Sequence, residues 1–145
     1  MSNLATRMVF LGALLGVMGV SLGAFGAHWL SSEITRWELA LEEQTRSLEI
    51  CETGGRYQLY HALALAVAGL LAARQPSRPV STAGVLFITG VIVFSGLLYA
   101  RVLTNVGLLG AAVPIGGVAL IAGWIMLAVA VWQQSERLRT KDPTK

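Results

Sequence analysis

Residues 8–30 read MVFLGALLGVMGVSLGAFGAHWL, 23 positions in which His28 is the one ionisable side chain. A helix rises about 1.5 Å per residue, so a run of this length is long enough to cross a hydrocarbon core of about 30 Å. Three more apolar runs follow, Tyr57–Ala73, Val80–Ala100 and Val113–Trp132, the first of them short but able to extend upstream. The whole chain is 54% hydrophobic and 13% charged. Its apolar residues are gathered in blocks rather than spread at amphipathic spacing, which identifies an integral membrane protein. The blocks lack the period-two alternation of a lipid-facing strand, so a transmembrane β-barrel is disfavoured. The expected architecture is all-α: one transmembrane domain over residues 1–145, with four transmembrane helices at about 8–30, 57–73, 80–100 and 113–132 and a polar C-terminal tail at 133–145.

Arg7 ahead of an apolar core, with Ala24 and Gly26 near a cleavage-like position, also fits a secretory signal. The apolar stretch is longer than the roughly 7–15 residues of a signal core, so the first helix is expected to be retained. Cys51 is alone, which excludes an intrachain disulfide and offers too few thiolates for a structural zinc or an iron–sulfur cluster. The net charge of +3 does not point to nucleic acid, because most basic residues flank apolar runs. Arg7, Arg74, Arg78, Arg137, Arg139, Lys141 and Lys145 fall on one side, and Arg36, Arg46, Arg56 and Arg101 on the other. Seven against four favours both termini in the cytoplasm of a bacterial inner (plasma) membrane, or in the matrix if the setting is the mitochondrial inner membrane.

Between the second and third runs, Arg74-Gln75-Pro76-Ser77-Arg78-Pro79 stops one helix and resets the chain for the next, making the two antiparallel neighbours. The first loop is long and acidic, with Glu33, Glu38, Glu42, Glu43, Glu49 and Glu52 against Arg36 and Arg46. Within it Ile34, Trp37, Leu41, Leu48 and Cys51 recur at helical spacing, which predicts an amphipathic helix at about 33–52. Ser31 or Ser32 would cap it, Glu42–Arg46 and Glu52–Arg56 would pair at i,i+4, and Gly54-Gly55 would break it before the second span. Such a helix could cover the outer face of the bundle, lie at the lipid interface or dock a basic partner. Its acidity disfavours anionic lipid.

In the first span Gly12, Gly16, Gly19, Gly23 and Gly26 are spaced four, three, four and three, which aligns them on one narrow face. Helices in a bilayer associate through close van der Waals contact, and glycine lets backbones approach, so this face reads as a packing seam. His28 falls roughly opposite it. In the second span Leu59, Leu63, Val67, Leu70 and Leu71 form a bulky, lipid-facing stripe, while Tyr57, His61, Ala64 and Ala68 share a small-residue face that points His61 into the bundle. Tyr99 lies with Ser95 and Gly96 on one side of the third span. His28, Tyr57, His61, Tyr99 and Arg101 are thus candidates for one polar layer at the outer rim, although tyrosine is also an ordinary interfacial anchor and a rim histidine can be satisfied by water or a carbonyl.

Four motifs occur in order: Leu22-Gly23-Ala24-Phe25-Gly26-Ala27-His28, the stretch from Glu52 through Gly54-Gly55-Arg56-Tyr57-Gln58-Leu59-Tyr60-His61 to Ala64, Phe94-Ser95-Gly96-Leu97-Leu98-Tyr99, and Pro114-Ile115-Gly116-Gly117. Together they resemble the domain of unknown function 423 family of small four-helix membrane proteins, which includes the animal transmembrane protein 256. The likeness covers nearly all of the chain except the tail. It implies a four-helix topology, a bacterial inner-membrane or mitochondrial location, and no established biochemical activity. The acidic stretch Thr35–Ile50 is longer than the family leads one to expect.

No carboxylate lies inside an expected span, and neither a nucleophile–base pair nor a phosphate-binding loop is evident. The leading expectation is therefore a non-enzymatic accessory, assembly or helix-packing component, with no catalytic residues, metal or cofactor. Its surroundings would be lipid, with a second copy or another membrane protein against the first helix. Permeation of a small solute or protons through His28 or His61 is the alternative. A bis-histidine haem or a copper site on the same pair is a third reading.

Overall fold

Each apolar run forms the body of a helix in the computed structural model, which describes residues 3–37 and 39–141, with nothing described for the side chain of Lys141. Glu38 and Lys145, both counted among the charges above, lie outside the described residues. The elements are α1 (Asn3–Phe25), a π-helical turn (Gly26–Leu30), a short α2 (Ser31–Glu33), a 3-10 turn (Ile34–Trp37), α3 (Leu41–Arg74), α4 (Arg78–Thr104) and α5 (Leu109–Lys141). No strand occurs among the described residues. Three of the helical stretches are long and apolar enough to cross a membrane: 3–37, 78–104 and 109–140. α3 is longer than α1 itself, but its first half is polar.

The turns follow the sequence chemistry. α3 ends at Arg74, Ser77 is extended, and Pro79 sits in the first turn of α4, where its missing N–H costs nothing. α4 ends on Asn105 in the left-handed conformation (φ 53°), which asparagine tolerates better than most residues. Pro114 lies inside α5, just after a tight opening turn whose N–H groups at Leu109, Gly110 and Ala111 bond back to Val106, Gly107 and Leu108.

The first loop differs from expectation. No separate amphipathic helix spans 33–52: the chain turns at Ile34–Trp37, restarts at Leu41 and runs through Gly54-Gly55 without a break. Ser31 and Ser32 do not cap a new helix, since their hydroxyls donate back to the carbonyls of Ala27 and Trp29, each at 2.8 Å. The turn also resets the helical phase, so the expected stripe splits. Ile34 and Cys51 are buried while Leu41 is exposed. Of the expected ion pairs, Glu52–Arg56 forms at 2.6 Å. The expected polar tail also begins as helix, because α5 continues to Lys141.

α1 packs on α3, α3 on α4 and α4 on α5. The main core gathers Met8, Leu65, Ala68, Ala83, Phe87, Val91 and Leu120, and a smaller one at the opposite end joins Leu30, Cys51 and Val102. Leu63, Val67 and Leu70 are exposed on α3 as their stripe predicted, but Leu59 lies against Gly19 of α1 and Leu71 packs on the main core; His61, Ala64 and Ala68 are buried, whereas Tyr57, expected on the same inward face, is 41% exposed.

Candidate functional site

Three polar side chains are buried in the described structure, Gln58, His61 and Ser95. Two lie on α3 three residues apart, which puts them on one helical face. His61 Nδ1 is 2.7 Å from the Tyr57 carbonyl one turn earlier, and its Nε2 is 3.1 Å from the indole nitrogen of Trp124 on α5. An indole N–H only donates and a carbonyl only accepts, so Nδ1 carries the proton and Nε2 accepts from Trp124. Both ring nitrogens of the neutral imidazole are thereby used. Aromatic rings enclose it: the centroids of Phe87, Trp124 and Tyr57 lie 5.7, 6.1 and 6.1 Å away.

One turn toward the start of α3, the Tyr99 hydroxyl donates to Gln58 Oε1 at 3.0 Å, and Gln58 Nε2 donates to the Leu15 carbonyl of α1 at 2.9 Å. Ser95 donates to the Gly54 carbonyl at 2.8 Å. The two arms tie α1, α3, α4 and α5 together. Glycines make the geometry reachable: a Cβ on Gly54 would lie 3.0 Å from the Tyr99 ring, and one on Gly116 would lie 2.5 Å from the Phe94 backbone nitrogen. Phe94 in turn packs its ring 4.7 Å from Tyr57. Three of the four sequence motifs, those around Gly54–His61, Phe94–Tyr99 and Gly116-Gly117, therefore converge on one layer.

Of the five candidate rim residues, the structure brings together three. Tyr57 and His61 are neighbours, and Tyr99 reaches the same α3 face through Gln58. They do not form a rim layer with the others, since His61 meets α4 and α5 within their middle thirds, at Phe87 and Trp124. His28 is exposed on the π-helical turn. Gly26, two residues before it, faces Cys51 of α3, and Cys51 precedes His61 by ten residues, a separation of roughly 15 Å along the helix. The two histidines therefore cannot ligate one haem iron or one copper from opposite sides. Arg101 lies against Gly110 at the start of α5, away from His61.

The glycine seam divides. Gly12, Gly19 and Gly26, spaced by seven, face α3, where an added Cβ would meet the Ala62 carbonyl oxygen at 2.8 Å, Leu59 at 3.0 Å and Cys51 Sγ at 3.1 Å. Gly16 and Gly23 have open space beside them. A contact repeating every second turn is what an antiparallel pair crossing at a shallow angle produces. With the seam packed inside the bundle, His28 points away from it.

Sequence reasoning missed Gln58 and Trp124. A glutamine inside an apolar run was the available indication for the first, since a polar side chain at that depth needs a partner. Nothing in the local pattern marks Trp124, whose partner is 63 residues away. Tyr99→Phe, which removes one hydroxyl without changing shape, is expected to cost about 1 kcal/mol in detergent-micelle unfolding. An unchanged melting temperature would mean that the Tyr99–Gln58 bond contributes nothing.

The family model described as "Protein of unknown function (DUF423)" matches residues 22–117. Among curated proteins, the UPF0382 membrane protein YwdK of Bacillus subtilis is 42% identical over 123 residues, 84% of this chain and 93% of that protein. A UPF0382 membrane protein of Staphylococcus aureus is 42% identical over 125 residues, covering 86% and 94%. One of Staphylococcus haemolyticus is 38% identical over 125 residues, covering 86% and 94%. No solved structure matches.

Proposed function

The chain belongs to the DUF423 family of membrane proteins, and on that premise we propose that it is a non-enzymatic accessory or assembly component of a bacterial inner membrane. One observation carries this reading. Each buried polar side chain, Gln58, His61 and Ser95, bonds to another helix, and among the described residues no buried side-chain nitrogen or oxygen is left unpaired. A catalytic or proton-carrying group needs an accessible lone pair or proton. His61 has both nitrogens engaged inside an aromatic enclosure, which suits a clasp between helices.

In this reading α3 is the fourth crossing. Residues 57–73 are apolar, and α3 packs along both α1 and α4, which are long and apolar enough to span. An even number of crossings returns both termini to one side, in agreement with the excess of basic residues near them. The surface offered to a partner is α1, where Phe10, Val17 and Val20 are more than 60% exposed beside open Gly16.

Photocrosslinkers at Val17 and Val20 are expected to capture one discrete protein partner or a second copy. Crosslinking to lipid alone, with a monomeric mass in native mass spectrometry, would reject the assembly role. Proteoliposomes are expected to pass protons no faster than empty vesicles. A flux abolished by His61→Ala would restore the permeation reading.

A further inference from the structure

Beside the α1–α3 contact line, where Gly23 leaves space that a side chain would fill, runs an open groove of about 590 Å³. Its two ends differ in chemistry. Toward the middle of the bundle it is walled by Leu22 and Leu59, and toward the outer end of α3 by Glu49, Glu52 and Arg56. Arg56 adjoins the expected start of the second span, so the apolar end dips into hydrocarbon while the charged end stands at headgroup depth. Charged side chains at such a depth are retained where something polar covers them. Here the protein covers them only in part, since the Glu52 and Arg56 side chains, paired with each other, are still 69% and 52% exposed.

The charges on this wall do not balance. Arg56 pairs with Glu52 at 2.6 Å, and Glu49 stands one turn before Glu52, a like-charge i,i+3 arrangement that disfavours the helix unless a cation joins it. Arg46, the other base of this stretch, is not on the groove wall. The guanidinium has five N–H donors, so it can hold Glu52 and a phosphate oxygen together. A ligand that fits has an apolar chain, an anionic group for Arg56 and a hydrogen-bonding cation for the carboxylates.

We propose that this groove binds a zwitterionic phospholipid with a primary ammonium headgroup. One acyl chain lies along Leu22, Gly23 and Leu59, the phosphate meets Arg56, and the ammonium sits between Glu49 and Glu52. The proposal rests on α1 and α3 both crossing the bilayer.

Native mass spectrometry of the full chain, with dioleoyl phosphatidylethanolamine, phosphatidylcholine or phosphatidylglycerol added to the micelles, tests it. Wild type is expected to retain phosphatidylethanolamine about fivefold better than the other two, the scale of one partly exposed charge-assisted hydrogen bond. Phosphatidylcholine lacks the N–H donors and phosphatidylglycerol the positive charge. Gly23→Leu fills open space, so it is expected to fold normally and to lose the bound lipid. Glu49→Gln is expected to bring phosphatidylethanolamine down to the phosphatidylcholine level. Equal retention of the three lipids by wild type, preference for phosphatidylglycerol, or full retention by Gly23→Leu would each overturn the proposal. Single cysteines at Thr45 and Ser77, in a Cys51→Ser background and labelled with a membrane-impermeant maleimide from one side, separate the premise: labelling on opposite sides with no lipid preference refutes the groove alone, whereas labelling on the same side refutes the crossing of α3.

Discussion

Gly116→Ala is expected to destabilise the bundle by about 3 kcal/mol, more than a single methyl group ordinarily does in a packed interior. The new Cβ would lie 2.5 Å from the Phe94 backbone nitrogen and 2.8 Å from its Cα. Backbone atoms of a helix cannot step aside as the end of a flexible side chain can, so α5 must move off α4 as a body. Phe94 also packs on Tyr57, and the displacement would pass to α3. Gly96 is the control, since a Cβ there meets nothing within 4 Å. Gly96→Ala should leave stability unchanged or raise it by the better helix propensity of alanine, up to about 1 kcal/mol. Thermal unfolding in detergent, followed by circular dichroism, compares the two. If both melt together, close backbone approach is not what holds α4 to α5.

His61→Ala is expected to cost about 3–4 kcal/mol, combining a cavity among Phe87, Trp124 and Tyr57 with an indole N–H left without its acceptor. His61→Gln should recover part of this, because its amide can both donate and accept, as the fixed imidazole tautomer does. Trp124→Phe keeps an aromatic ring and removes only the donor. A double-mutant cycle of His61→Ala with Trp124→Phe should show coupling of about 1 kcal/mol. Strict additivity would mean that ring packing alone, without the hydrogen bond, accounts for the site.

Much of this fold is legible from hydrophobic run length. The last three runs each lie in one helix, the first fills α1 and the π turn that continues it, and Pro76 and Pro79 mark the turn between α3 and α4. The inward face of α3 also follows in part from spacing, since small Ala64 and Ala68 accompany His61 while Leu63, Val67 and Leu70 turn outward, but Leu59 and Leu71 do not follow that stripe. What spacing does not reveal is which neighbour a face meets. Trp124 is invisible from His61 in sequence because their contact depends on how α5 docks beside α3.

Gly54-Gly55 shows a different limit. By intrinsic propensity the pair ends a helix. In place it continues one, because Tyr99 packs where a Cβ would stand and Ser95 bonds the Gly54 carbonyl. Tertiary contact overrides local preference there. At Gly26 the helix widens into a π turn, yet His28 still ends exposed and away from the seam, as the spacing predicts. The glycine spacing predicts one continuous interface, but a shallow antiparallel crossing uses only every second turn of it.

The order in which the helices pack carries a consequence for biogenesis. Each long helix rests mainly on its neighbour in the chain, so during synthesis each new helix meets its main partner already in place. The exception is the indole of Trp124, which arrives with the final helix. Until then the imidazole of His61 has an open acceptor, and a buried acceptor without a donor is costly. Docking of α5 closes that vacancy, so the His61–Trp124 bond marks the moment at which all four long helices have come together.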